Sequence, residues 1–149
     1  MLTAQEGNKE RKTVFYTKVS TPERPQGESS RTVQIKVTND YLKRRRLQPL
    51  SRKNVYVDFG SSSNRPALSK LLDDVKNGGI KTILVWHIDR LTRSITEWAR
   101  LMDIFSSHNV SLRSIQQGFR QSPAGMKMLS NGIKEFERRR SAKLKRKNR

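Results

Sequence analysis

An α/β fold with a mainly parallel sheet is predicted for this chain from three observations. Strand-like and helix-like segments alternate in the order βαβαβαβ, one strand is apolar without interruption, and glycine or proline punctuates the joins. The uninterrupted strand is Thr82-Ile83-Leu84-Val85-Trp86, the pattern of a central parallel strand covered on both faces. With 149 residues, 33% of them hydrophobic, the chain has material for one modest core.

Residues 1–12 are polar and mixed in charge and read as a disordered leader. Thr13–Ser20 is rich in β-branched and aromatic residues and reads as the first strand; Pro22, Pro25 and Gly27 break it and leave Ser20 at its carboxyl end. A helix follows from about Ser29 with Val33, Val37 and Tyr41 as its apolar stripe, then the run Lys43-Arg44-Arg45-Arg46, either a solvated face or a DNA contact. Asn54–Asp58 is the second strand, and Phe59–Asn64 a loop of small residues. Arg65-Pro66 opens a helix with the apolar face Leu68, Leu71, Leu72 and Val75, ended by Gly78-Gly79. After the third strand, Ser94-Ile95-Thr96-Glu97 has capping-box spacing and Ile95, Trp98, Leu101, Met102 and Phe105 form a stripe. Val110–Ile115 alternates as a half-buried fourth strand.

The last helix starts near Pro123 and carries Met126, Leu129, Ile133 and Phe136 as a heptad-like seam. That spacing serves self-association or packing onto the chain's own sheet equally well. Beyond Glu137 the tail holds eight basic residues in twelve, Arg138, Arg139, Arg140, Lys143, Lys145, Arg146, Lys147 and Arg149.

With 32 Lys and Arg against 13 Asp and Glu, the formal charge is +19, far more than a small domain needs for solubility. Nucleic acid is the default partner of such a surface. An anionic membrane surface is the competing reading, but no run approaches the ~18 apolar residues of a spanning helix and no signal-peptide core is present. Without cysteine, the chain excludes disulfides, thiolate metal sites and thiol nucleophiles and suits a reducing cytosol. Two histidines, His87 and His108, do not make a histidine-rich zinc site.

Chemistry concentrates where the strands end. Asp89, Arg90 and Arg93 follow the apolar strand directly, the two arginines at the predicted start of a helix where both could face one phosphate. Ser20 and the segment from Asp58 to Arg65 occupy comparable positions, and Glu137-Arg138 on the last helix could converge with them at one edge of the sheet. A serine hydroxyl among arginines fits attack on a phosphodiester, with guanidinium groups stabilising charge on phosphorus. Each residue also has a plainer reading: Ser20 as a turn residue, Asp58 and Asp89 as metal ligands or ion-pair partners, Arg65 as a solvated helix start.

Five ordered blocks resemble the catalytic domain of the serine recombinases, the resolvase, invertase and integrase family. Tyr16-Thr17-Lys18-Val19-Ser20-Thr21 resembles the nucleophile motif Tyr-x-Arg-Val-Ser-Thr, with Ser30 and Gln34 matching a downstream Ser-x-x-x-Gln. Val57-Asp58-Phe59-Gly60-Ser61-Ser62 with Arg65-Pro66-Ala67-Leu68 is similar to the second block, and Leu84 to Ser94 to the third. Pro123-x-Gly125 resembles the entry to the long helix, and Phe136-Glu137-Arg138-Arg139 its Glu-Arg signature.

The resemblance implies a three-layer fold with a four- to five-stranded sheet, a core over 13–122 and a dimerising, DNA-contacting helix over 123–149. It implies that Ser20 forms a 5′-phosphoseryl link to DNA, releasing a 3′-hydroxyl, with no metal or nucleotide cofactor. Arg65, Arg90, Arg93 and Arg138 would hold the phosphate, Asp89 and Asp58 would orient arginines or assist proton transfer, and Lys18, Gln34, Ser61 and Glu137 would support the site. Met126, Leu129, Ile133 and Phe136 would form the dimer interface of a homodimer that assembles into a synaptic tetramer on double-stranded DNA. Arg139, Arg140, Lys143, Lys145, Arg146 and Lys147 would contact that DNA. A prokaryotic or phage protein of this kind acts in the cytoplasm on the nucleoid; in a eukaryotic cell the basic runs would also pass as nuclear-import signals.

Three departures stand out. Lys18 replaces the motif arginine, keeping charge but losing the bidentate fork. Arg24 occupies the place of a frequent glutamine, with Gln26 nearby. No separate DNA-binding domain is expected within residues 1–149, which leaves targeting to another domain or protein.

Overall fold

The computed structural model describes residues 10–19, 30–60, 64–118 and 120–148, with the side chain of Ser30 left aside. Ser20, Arg24, Gln26, Ser61, Arg149 and all but the last three residues of the expected leader lie outside the described residues. Among the described residues, five strands form one sheet: β1 (Lys12–Val19), β2 (Val55–Phe59), β3 (Ile80–Val85), β4 (Ser111–Ser114) and β5 (Arg120–Gln121). Their order is β2-β1-β3-β4-β5, the first four parallel and β5 antiparallel to β4. The helices are α1 (Ser30–Arg44), α2 (Pro66–Lys76), α3 (Ile95–Ser107) and α4 (Pro123–Lys147).

Strand alternation builds the layers. Val14 and Tyr16 of β1, with Ile83 and Val85 of β3, enter the larger core with Leu68, Leu71, Leu72 and Val75 of α2, Leu101, Met102 and Phe105 of α3, and Met126 of α4. Phe15 and Leu84 point the other way, onto Leu42 of α1. Both faces of β1 and β3 are therefore covered, as the unbroken apolar run requires. The four-residue face of α2 matches the predicted stripe, and Gly78 takes the left-handed conformation (φ 77°) that ends the helix.

Four features differ from the sequence reading. The buried edge of α1 is Gln34, Thr38 and Leu42, one residue on from the expected Val33, Val37 and Tyr41, and Val33 is exposed. Two polar residues are tolerated there because Thr17 Oγ1 donates to Gln34 Oε1 (2.6 Å) and Thr38 Oγ1 to the Gln34 carbonyl (2.7 Å). Ser94 Oγ does accept from the Glu97 N–H (3.2 Å), but the Glu97 carboxylate turns elsewhere, so only half of the capping box forms. Ile95, expected on the buried stripe, is 66% exposed, and Ala99 takes a core place on that helix. Finally, β1 starts at Lys12, and Arg11 before it donates to the carbonyls of Ile80, His108 and Asn109, stapling β1 to β3 and to the α3–β4 turn.

Candidate active site

Connections from β1 lead outward to β2, and those from β3 lead outward to β4, so chain direction across the sheet switches between β1 and β3. A crevice opens at the carboxyl ends of strands at such a switch point. Arg90 spans it. From the 3₁₀ turn Ile88–Arg90 after β3, its Nη1 reaches the Lys18 carbonyl at 3.5 Å, while its Nε is buried without an acceptor among the described residues.

The same turn fixes Asp89. His87 Nδ1 caps the turn by accepting from the Asp89 N–H (3.2 Å) and lies 2.8 Å from Asp89 Oδ1. A ring nitrogen that accepts from the backbone cannot also donate to the carboxylate, so Oδ1 is buried without a hydrogen bond among the described residues. Arg93 Nη2 lies 3.8 Å from the other Asp89 oxygen and the side chain is 80% exposed. Arg93 sits in the bend before α3, outside the helix in which the sequence reading placed it beside Arg90.

Arg65, at the N-cap of α2, donates to the Leu91 carbonyl and to Glu97 Oε1, and Thr92 Oγ1 donates to the other Glu97 oxygen. The guanidinium is thus joined to the β3–α3 connection by groups far away in sequence. Asp58, at the end of β2 and opposite Lys18 in register, is wholly buried. Its Oδ1 accepts from the Ala67 N–H (2.8 Å), and its Oδ2 accepts from the Leu68 N–H (3.0 Å) and the Tyr16 hydroxyl (2.9 Å). Those bonds cap α2 and satisfy the buried phenol. Burial first, and Asp58 second, raise the Tyr16 pKa far above its ordinary value, so the hydroxyl remains a donor.

Glu137 and Arg138 ride on α4, which runs back along α3. Ser130 Oγ reaches Asp103 Oδ1 (2.6 Å), Lys134 reaches Asp103 Oδ2, and Thr96 Oγ1 donates to Glu137 Oε1 (3.1 Å). The last contact brings Glu137 to the start of α3, next to the residues that hold Arg65. Arg138 is turned to Glu135, donating through Nε (2.9 Å) and Nη2 (2.8 Å), with Arg139 on the same carboxylate (2.8 Å). Arg138 and then Arg139 hold the Glu135 carboxyl down at about 2.

Among the described site residues, the structure gathers Lys18, Asp58, Arg65, Asp89, Arg90 and, through α3, Glu137 at one edge of the sheet, with Gln34 behind Thr17. Arg93 and Arg138 stand at its margin, their side chains in solvent. Of the expected seam, Met126 lies wholly inside the chain's own core, Ile133 is half-buried, and Leu129 and Phe136 are exposed. Arg139, Arg140, Lys143, Lys145, Arg146 and Lys147 are exposed along the outer half of α4. Sequence reasoning missed Glu97, Thr92, His87 and Tyr16 as site partners; the Ser94–Glu97 spacing marked Glu97 only as a cap. Among the described residues no three His, Asp or Glu side chains are grouped to hold a metal ion, and no helix is long and apolar enough to cross a membrane.

Comparison with known proteins agrees with this fold. The family described as Resolvase, N terminal domain matches residues 13–149. The transposon Tn552 resolvase of Staphylococcus aureus is 31% identical over 78 residues, 51% of this chain and 39% of that protein. A putative DNA recombinase of Bacillus subtilis (strain 168) is 29% identical over 135 residues, 83% of this chain and 25% of that protein. The chain thus spans well under two thirds of the length of these relatives. Among solved structures, the N-terminal catalytic domain of TP901-1 integrase superposes with a TM-score of 0.66 at 30% identity, covering 85% of this chain and 96% of that one. A resolvase family site-specific recombinase from Streptococcus pneumoniae shares the fold, with a TM-score of 0.67 at 21% identity over 93% of this chain and 95% of that one.

Proposed function

As the chain belongs to the resolvase family, we propose that it is the catalytic domain of a serine-type site-specific DNA recombinase. The observation that carries this reading is Arg90: a guanidinium at the β1/β3 switch point, touching the carbonyl two residues before Ser20, with a buried N–H that has no acceptor among the described residues. A phosphate oxygen is the acceptor such a group lacks.

In this reading the Ser20 oxygen attacks the scissile phosphorus. The new Ser–O–P bond forms as the bond from phosphorus to the 3′ oxygen breaks, the serine gives up its proton and the departing oxygen gains one as the free 3′-hydroxyl. Attack by that hydroxyl on the phosphoserine reverses the step and rejoins strands, so the bond energy is conserved and neither metal nor nucleotide is consumed. Arg90 holds the phosphate at the crevice. Arg65, Arg93 and Arg138 supply further positive charge once the first and last exchange Glu97 and Glu135 for phosphate oxygens. Asp89 orients Arg93, and Asp58 acts through the fold by fixing the start of α2. Ser61 is a further supporting residue, and Gln34 steadies Thr17 behind the crevice.

Cleavage of both strands calls for more than one copy, and the exposed Leu129 and Phe136 of α4 offer an apolar seam for a homodimer that pairs into a tetramer. The basic outer half of α4 lies on the DNA flanking the cut.

The test is a denaturing-gel assay for covalent protein–DNA adducts on supercoiled DNA from the source locus, with the unmodified chain, Ser20→Ala and Lys18→Arg side by side. An adduct that resists chelator and is lost in Ser20→Ala supports the proposal, and a stronger one from Lys18→Arg shows that Lys18 weakens the site. Adducts that survive Ser20→Ala but vanish with chelator refute it in favour of metal-dependent phosphoryl transfer. DNA binding without adduct from any variant refutes cutting by this chain and leaves a domain that binds DNA or a full-length relative.

A further inference from the structure

The charge of this chain is not confined to the catalytic edge and α4. Between residues 31 and 53 there are eight basic residues, Arg31, Lys36, Lys43, Arg44, Arg45, Arg46, Arg52 and Lys53, against one acidic residue, Asp40. Six of them crowd into the connection from α1 to β2, where Lys43, Arg44, Arg45, Arg46, Arg52 and Lys53 are all exposed. None of these six forms an ion pair with a carboxylate among the described residues.

The connection is anchored rather than loose. Arg46 is left-handed (φ 56°), and the Leu47 N–H returns to the Leu42 carbonyl (2.9 Å), closing the end of α1. The Leu50 N–H is bound by Asn39 Oδ1 (2.8 Å), and Leu50 packs against the small core around Phe15 and Leu42. The Arg45 guanidinium lies over the Tyr41 ring at 4.8 Å, which holds one charge in place before any ligand arrives.

Its place in the fold separates it from the site already described. α1 runs antiparallel to β1: Gln34 meets Thr17 near the strand's carboxyl end, and Leu42 meets Phe15 nearer its start. At 1.5 Å per residue, Arg44 lies about 15 Å beyond Gln34 along the helix axis. Arg52 and Lys53 precede Val55, which pairs with Phe15, so they too stand at the amino ends of the strands. The patch and the crevice thus occupy opposite edges of one sheet.

We propose that this α1–β2 connection is a second DNA-backbone surface, which holds duplex DNA by its phosphates, independently of sequence, at a distance from the phosphate being cut. Four of the six cations are arginines, whose fork suits phosphate oxygens. Leu47 is the one exposed large apolar side chain among them, too little for a face that inserts into lipid. The choice of DNA over another polyanion rests on the proposed function; the existence of a polyanion surface does not. A segment bound here is a flanking or second stretch of duplex, because the scissile phosphate lies across the sheet.

The test measures binding of a random-sequence 25-base-pair duplex by fluorescence anisotropy between 50 and 250 mM salt. The full chain is compared with Arg44→Gln/Arg45→Gln/Arg46→Gln and with Arg52→Gln/Lys53→Gln, and folding is checked by circular dichroism. Each lost phosphate contact lowers the log–log salt slope by about 0.9, so the triple variant is expected to lower it by roughly 2–3 and to weaken binding at least ~10-fold at 100 mM salt. The double variant is expected to lower the slope by roughly 1–2. Folded triple and double variants with unaltered slopes overturn the proposal, as does loss of binding to phosphatidylserine vesicles with DNA binding intact. The adduct assay separates the two readings: adducts with unaltered slopes sink only this surface, and altered slopes without adducts sink only the recombinase reading.

Discussion

Replacing Asp58 with alanine removes one carboxylate and leaves three donors without an acceptor: the Ala67 and Leu68 N–H groups at the start of α2 and the buried Tyr16 hydroxyl. Loss of a helix cap costs about 1 kcal/mol. A buried hydroxyl left unpaired costs about 2 kcal/mol more, within the range for orphaned polar groups. Asp58→Ala is therefore expected to cost about 3 kcal/mol, a fall in Tm of roughly 6–12 °C for a domain of this size. Tyr16→Phe alone removes the donor together with its need and should cost about 1 kcal/mol. In the double variant no hydroxyl is orphaned, so its cost should be about 2 kcal/mol, well below the sum of the singles. Urea unfolding of the four proteins measures this cycle. Additivity to within about 0.5 kcal/mol, or an Asp58→Ala cost below about 1 kcal/mol, would refute the assignment of Asp58 to the fold and return it to the list of candidate proton carriers.

Glu97→Gln removes the carboxylate that holds Arg65; urea unfolding should show a loss of about 1–2 kcal/mol, discounted for partial exposure, while duplex DNA binds more tightly because phosphate no longer competes with Glu97. Weaker binding would show that Glu97 positions Arg65 for DNA. Asp103 titrates below its ordinary value because Lys134 first and Ser130 second bond its carboxylate. Its stabilisation of the α3–α4 contact is thus full above the unfolded pKa of about 4 and fades as pH falls through the depressed folded value; amide exchange in α4 should accelerate there, and Asp103→Asn should abolish that acid step. Glu135 should titrate at about 2 by carboxyl NMR in the free protein. If Arg138 turns to phosphate, DNA should move it toward the ordinary ~4.3; an unmoved titration would place Arg138 outside the phosphate contacts.

The strands, the α2 face and the sheet's mainly parallel sense were legible because each is written in apolar periodicity. The edge of α1 was not, since Gln34 and Thr38 look like surface residues until Thr17 is placed opposite them. A two-residue strand such as β5 has no period to read. Ile95 was misassigned to a buried stripe, and the spacing of the seam through Met126 left self-association and packing onto the chain's own sheet equally open: spacing identifies a stripe, but only packing decides where it starts and what covers it. At the site, Arg90 and Asp89 could be found from their position after an apolar strand. Glu97 could not, because its bond to Arg65 joins residues 32 apart in sequence, and no local pattern encodes that contact.

Thr96 and Glu97 are consecutive residues with separate loyalties, one hydrogen-bonded to Glu137 of α4 and the other to Arg65 at the crevice. A single peptide unit is therefore the shortest mechanical link between the helix that bears the exposed apolar seam and an arginine of the candidate active site. Any partner that tilts α4 away from the start of α3 strains that link, so a movement of the outer helix reaches Arg65 through one turn of α3.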